Sequence, residues 1–155
     1  MKKYFIVAGE PSGDLHGSKL IKAIKHLNPN SSFMGHGGDS MRNEGMHIIE
    51  HVDSLAIMGF AEVLRHLPRM NKIMRNTVGA IERSKPDRVI LIDYPGFNLR
   101  LAKRLSPLKI PITYFILPQA WAWKQRRVEV LKRFIDQSIS IFPFGYFDLD
   151  KYSLA

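Results

Sequence analysis

Val89-Ile-Leu-Ile92 is an unbroken, β-rich apolar run that stops on a carboxylate, Asp93. A strand that is apolar at every residue must be covered on both faces, and such strands belong to parallel sheets layered between helices. Tyr4 to Ala8, Ser32 to Gly35, Met46 to Val52, Ile112 to Leu117 and Ser138 to Phe142 are further strand candidates. Helical stretches alternate with them: about Asp14 to Leu27, a short piece near Ser40 to Glu44, a long pattern from about Gly59 to Ser84, about Asn98 to Leu105, and Arg126 to Phe134. In the long pattern Phe60, Val63, Leu64, Leu67, Met70, Ile73, Met74 and Ile81 recur at three- and four-residue spacing. Pro68 lies inside it and predicts a kink or two helices. Strand–helix alternation over the whole chain predicts an α/β fold, a Rossmann-like parallel sheet with helices on both faces.

At 155 residues the chain is one domain's worth of sequence, long enough to bury a core without staples. It has no cysteine, which removes disulfides, Cys-ligated zinc and thiol nucleophiles. The apolar part of Met1 to Ala8 is too short for a signal peptide, and Glu10 and Asp14 follow it at once. No run approaches the ~20 apolar residues of a membrane span, so a soluble or peripheral, cytoplasmic protein is expected. The formal net charge is +9. Much of it lies in Arg65 to Arg75, Arg100 to Lys109 and Lys124 to Arg133, which are either solvated helix faces or a surface for an anionic partner. No nucleic-acid recognition motif accompanies them, and no nucleic-acid partner is expected.

Open α/β sheets place ligand chemistry at the carboxyl ends of their strands. Three groups fall there. Gly9-Glu-Pro-Ser-Gly13, with Asp14 next, is a strand-to-helix turn that lacks the dinucleotide pattern G-x-G-x-x-G. Glu10 and Asp14 would repel a phosphate at that helix start and suit a sugar hydroxyl or a proton transfer; the plainer alternative is that Asp14 caps the helix and the glycines permit the turn. Asp93 is either a general base, raised in pKa by partial burial, or a hydrogen-bonding partner of the Pro95-Gly96 turn. Gln119, Trp121 and Trp123 form the third group, the indoles suited to stacking on sugar rings or acyl chains, or else plugging the core. Arg126 and Arg127 follow and can hold a phosphate or stay solvated. The histidines have no metal-ligand spacing, Asp148 and Asp150 sit in an unpatterned tail, and no metal or cofactor is expected.

Ala8 to Asp14, Gly35-His-Gly-Gly-Asp39 with Met41 and Gly45, Met58-Gly-Phe-Ala-Glu-Val-Leu64, Pro86-Asp87, Ile92 to Leu99, and Pro118 to Lys124 with Arg127-Val128 resemble the lipid-A-disaccharide synthase family, in that order. The resemblance spans residues 4 to about 144. It implies the amino-terminal domain of a GT-B fold and an inverting hexosyltransferase working without a metal. The reaction implied joins UDP-2,3-diacylglucosamine to 2,3-diacylglucosamine 1-phosphate through a β-1,6 linkage, at the inner face of the Gram-negative inner membrane. Asp93 matches the family's proposed base, with Glu10 beside it in the catalytic set. Ser12, Gly13, Asp14, Gln119, Trp121, Trp123 and Arg127 are the expected substrate-binding residues. Ile57, Met58, Phe60, Leu64, Arg65, Leu67, Arg69, Met70 and Lys72 have the make-up of an interfacial amphipathic helix against anionic lipid; the alternative is a core helix with wet cations.

The family usually reads Pro-Phe-Glu after the last strand, whereas this chain reads Pro143-Phe144-Gly145 and matches poorly beyond. Gly96 stands where many members carry Asp. The expected organisation is an acceptor- and membrane-side domain over 1–144 and an atypical tail over 145–155, with the carboxyl-terminal donor domain absent and no turnover by this chain alone. Two competing readings are a non-enzymatic anionic-lipid binder and a nucleotide-binding α/β domain.

Overall fold

The computed structural model describes residues 1–56, 63–116 and 125–140, except for the side chains at 56, 63–66 and 125–127. The elements are β1 (Lys3–Ala8), α1 (Pro11–Leu27), β2 (Ser32–Gly37), α2 (Asp39–Asn43), β3 (His47–His51), α3 (Val52–Ala56), α4 (Val63–Ser84), β4 (Arg88–Ile92), α5 (Pro95–Leu105), a 3-10 turn (Ser106–Leu108), β5 (Ile112–Phe115), α6 (Gln125–Phe134) and β6 (Gln137–Ile139). The strands form one sheet in the order β3-β2-β1-β4-β5-β6, and every pairing is parallel.

The apolar runs are continuous because both faces are used. Phe5, Val7, Val89, Leu91, Ile112 and Tyr114 point to one side and pack with α4, α5 and α6 through Ile73, Met74, Ile81, Leu101, Leu105 and Leu131. Ile6, Ala8, Ile90 and Ile92 point to the other and meet Ile21 of α1 and Met41 of α2. The period-2 alternation of strand side chains therefore feeds two cores. Each fully buried Ile, Leu or Phe contributes about 1.5–3 kcal/mol.

Several boundaries differ from the sequence expectation for identifiable reasons. α1 begins at Pro11 and α5 at Pro95, each earlier than predicted, because a proline with its fixed φ and missing N–H fits the first helical turn. Ser12, Gly13 and Asp14 are consequently helical. α4 runs as a single helix through Pro68, so the division into two helices does not occur. Packing of Ile73, Met74 and Ile81 outweighs the hydrogen bond that Pro68 forgoes near the helix start. α3 was not anticipated, and β2 continues two residues past Gly35.

That continuation depends on Gly35. Its φ is +139°, and a Cβ there would lie 2.0 Å from the Ile6 carbonyl oxygen on β1. The β2–β3 register shifts between Gly35 and His36, so the residue needed at the irregularity is the one without a side chain. The irregularity lies at the carboxyl end of β2, where His36 pairs with Val7 of β1 and Gly37 with His51 of β3.

Candidate active site at the sheet switch point

From β1 the chain steps one way to β2 and β3, then returns to the other side of β1 to lay down β4. The loops leaving β1 and β4 therefore part in opposite directions, the place where open α/β sheets form their ligand crevice. Gly9-Glu10 leaves β1 and Asp93-Tyr94 leaves β4.

The β4–α5 connection is a strained turn. Asp93 and Tyr94 both take left-handed backbone, φ 44° and 50°, at a cost of about 1–3 kcal/mol for each non-glycine residue. The backbone of Asp93 is held on both sides: its N–H donates to the Phe115 carbonyl at 3.1 Å, and its carbonyl accepts from Asn98 Nδ2 at 2.8 Å and from the Tyr114 hydroxyl at 2.6 Å. The carboxyl group is half-buried. Burial raises its pKa above the ordinary carboxylate range, and a hydrogen bond from the Tyr94 N–H opposes that rise. A carboxylate made more basic yet still reachable by solvent suits proton abstraction.

Across the crevice, Gly9 lets the Tyr94 ring close onto the β1 loop: a Cβ at Gly9 would come within 2.3 Å of that ring. Tyr94 also stacks on Phe97, with ring centroids 5.9 Å apart. Burial raises the pKa of the Tyr94 phenol, and the charge of Glu10 raises it further, which brings Glu10 into the electrostatic reach of the β4 turn. Glu10 and Ser12 are exposed at the start of α1, and Gly13 is buried where a Cβ would press on Ala8 at 3.2 Å.

Asp14 has a different place. It is 6% exposed and sits inside α1. Its carboxylate accepts backbone N–H bonds from Gly38 (2.7 Å), Ser40 (3.0 Å) and Met41 (3.0 Å), capping α2. The expectation of a carboxylate repelling anions at the α1 start is corrected accordingly: of the pair, Glu10 alone is exposed there. The capping alternative holds in altered form, because the helix capped is the next one along the chain. A Cβ on Gly38 would lie 2.7 Å from the Asp14 carboxylate, so the cap requires a glycine opposite it.

Three buried polar residues, His36, Thr77 and Asn98, carry no role in the sequence reading. His36, 1% exposed, shares a 2.9 Å hydrogen bond between Nε2 and the Thr77 hydroxyl, and that hydroxyl donates to the Ile73 carbonyl at 2.7 Å. Thr77 therefore accepts from Nε2–H, and His36 is a neutral imidazole with its pKa lowered by burial to about 4. Asn98, fully buried, donates its two Nδ2 hydrogens to the carbonyls of Asp93 (2.8 Å) and Ile92 (3.2 Å), with the Val7 carbonyl sharing at 3.4 Å. In the sequence Asn98 stands at the expected helix start, where asparagine reads as an ordinary cap, so its buried role left no signal there.

On α4, Leu67, Arg69 and Lys72 are exposed. Met70 is half-buried and packs against the core. Leu64 and Arg65 lie in α4 and Arg127 in α6 without described side chains, while Ile57, Met58, Phe60, Gln119, Trp121, Trp123 and the tail from 141 on lie outside the described residues. None of the helices described is long and apolar enough to cross a membrane.

The family model for lipid-A-disaccharide synthetase matches residues 4–154. The chain belongs to that family. Lipid-A-disaccharide synthases of Myxococcus xanthus and Acidobacterium capsulatum are 39% and 43% identical to it over 142 and 141 residues. The alignments cover 92% and 90% of this chain but 37% and 35% of those proteins. The chain thus spans little more than a third of the length of the synthases it matches. A solved UDP-N-acetylglucosamine 2-epimerase from Neisseria meningitidis, bound to UDP-N-acetylglucosamine, superposes with a TM-score of 0.58 at 12% identity, over 90% of this chain and 40% of that one. That likeness is one of fold, and it agrees with the parallel, helix-covered sheet expected for a lipid-A-disaccharide synthase domain.

Proposed function

We propose that this chain supplies the acceptor half of a lipid-A-disaccharide synthase, with Asp93 as the base. The observation that carries the reading is the Asp93 carboxyl group itself, half-buried, raised in pKa and placed where the switch-point crevice opens. In the reaction the 6-hydroxyl of 2,3-diacylglucosamine 1-phosphate attacks the anomeric carbon of UDP-2,3-diacylglucosamine. The new C–O bond forms as the bond to UDP breaks, the electron pair leaves with UDP, and the hydroxyl proton passes to Asp93. In-line attack inverts the anomeric centre.

Glu10, Ser12 and Gly13 border the same crevice from the β1 side and are assigned to the acceptor, with Gln119, Trp121, Trp123 and Arg127 as further substrate-binding residues. The donor nucleotide requires a carboxyl-terminal half supplied by a longer chain. Docking on the anionic inner face of the inner membrane is supported by the exposed cations of the α4–α5 layer, Arg69, Lys72, Arg75, Arg100, Lys103 and Arg104, each worth roughly 1 kcal/mol near an anionic surface.

The test is a chimera in which this chain replaces the matching amino-terminal part of the Myxococcus xanthus relative, assayed for the disaccharide 1-phosphate by mass spectrometry. Product is expected, and Asp93→Asn is expected to lower kcat about 100- to 10,000-fold. A folded Asp93→Asn chimera with unchanged turnover would remove the base from the scheme. The same cations favour a second reading, a lipid-binding chain without enzymatic work. Flotation with anionic vesicles separates the two: binding indifferent to the acceptor lipid, combined with an inactive chimera, supports the second.

A further inference from the structure

We infer that Asn98 and Tyr114 are positioning residues that lock the left-handed Asp93 turn by jointly occupying the Asp93 carbonyl, and so hold its carboxylate at the mouth of the crevice. The inference rests on the reading of Asp93 as the base and names the residues that make it one. Left to itself, an aspartate followed by a tyrosine does not populate two successive left-handed conformations. Something must over-determine them.

Two donors do so from different elements. Tyr114 comes from β5, with its side chain fully enclosed, and its hydroxyl reaches the Asp93 oxygen at 2.6 Å. Asn98 comes from the first turns of α5 and reaches the same oxygen at 2.8 Å. A carbonyl has two lone pairs, and both are engaged. The orientation of the Asn98 amide is fixed by its surroundings: three carbonyls, of Val7, Ile92 and Asp93, face Nδ2, so the NH2 group must lie on that side. Through this amide the ends of β1 and β4 share one anchor at the place where their loops diverge. Since the Asp93 N–H is bonded to Phe115, every backbone polar group of that residue is satisfied by protein. Only its side chain is left to meet a ligand.

The pair differs from ordinary core packing in what its removal should change. Tyr114→Phe keeps the ring and deletes one donor. Asn98→Ser removes the other and its bridge to β1. In the 155-residue chain, labelled with 13C, the one-bond Cα–Hα coupling of Asp93 reports whether φ is positive, and the side-chain carboxyl shift reports its titration. Tyr114→Phe is expected to move the coupling toward extended backbone and to bring the Asp93 pKa down toward the ordinary carboxylate range. The titration of Asp87, at the opposite end of β4, should stay unchanged. In the chimera, kcat is expected to fall about tenfold with KM within twofold.

A lower urea midpoint with both Asp93 signals unmoved, in Tyr114→Phe and in Asn98→Ser, would reduce the two residues to packing and overturn the inference. If Asn98→Ser does not fold, Tyr114→Phe decides alone. The two proposals fail separately. A fully active Asp93→Asn chimera removes the base, while the coupling and titration still judge the clamp.

Discussion

Asp14 and Asp93 lie in similar settings, each beside a strand-to-helix turn whose helix opens on proline, and they end in opposite roles. Asp14 is turned into the fold and its oxygens are taken by three backbone N–H groups of the β2–α2 junction. Asp93 is held by its backbone, and its carboxyl group keeps one local N–H bond and half its surface. One carboxylate is a structural part and the other is left available. The difference lies in which atoms the surrounding fold satisfies: side chain in the first case, main chain in the second. The fold uses the side chain of Asp14 for its own hydrogen bonding and leaves that of Asp93 largely free for the role proposed above.

The largest effect that tests this contrast is expected at Asp14. Asp14→Ala leaves the N–H groups of Gly38, Ser40 and Met41 without their acceptor, in a place closed to water at two of the three. Unsatisfied buried donors of this kind cost about 1–3 kcal/mol each, so urea denaturation should show a loss of about 3 kcal/mol or an unfolded chain. Asp14→Asn keeps one acceptor oxygen and should lose less. If Asp14→Ala has the wild-type midpoint, Asp14 is not the structural carboxylate and the contrast collapses.

His36 supplies the next effect and belongs to the consumed side. Its pKa is lowered to about 4 by burial, from an ordinary 6.5. A depressed histidine pKa means that the folded state resists protonation. The stability it contributes is complete above pH 6.5 and is lost as pH falls toward 4, to roughly 3 kcal/mol in all. Stability measured by urea at stepped pH should therefore fall steeply between those values, and His36→Gln should flatten that limb. A wild-type profile already flat from pH 6.5 to 4 would show that the imidazole is not sealed against Thr77.

The architecture was legible because the strand runs are apolar on both faces, which only a doubly covered parallel sheet requires. The place of Asp93 at the carboxyl end of a strand was legible because it follows the clearest of those runs. The helix starts at Pro11 and Pro95 were less legible, because a proline between a strand and a helix fits a loop as well as a first helical turn. The fate of Asp14 was not legible, since its partners lie 24 to 27 residues on, beyond the β2 strand. The same is true of His36 and Thr77, 41 residues apart. Tertiary hydrogen bonds between distant polar residues leave no periodic trace in a sequence. Asn98 stood at the expected helix start, where asparagine passes as a cap, and its role followed only from the three carbonyls around it.

The smallest effect is the most telling, because its sign is opposite to that of His36. Burial raises the Asp93 pKa, so the folded state favours the protonated carboxyl. Its contribution to stability is present below the ordinary carboxylate pKa and is lost as pH rises through the raised value. At neutral pH the ionised Asp93 is then a burden on the fold, small because half the group remains in water. Asp93→Asn should make the chain slightly more stable at pH 7 and no more stable at pH 3, where the wild-type side chain is itself neutral. Thermal unfolding of the two proteins at both pH values measures this directly. A destabilised Asp93→Asn at pH 7 would mean that the charge serves the fold, and would move Asp93 from the available side of the contrast to the consumed one. A gain confined to neutral pH, together with lost turnover in the chimera, is the mark of a group held against its own stability for the sake of its reactivity.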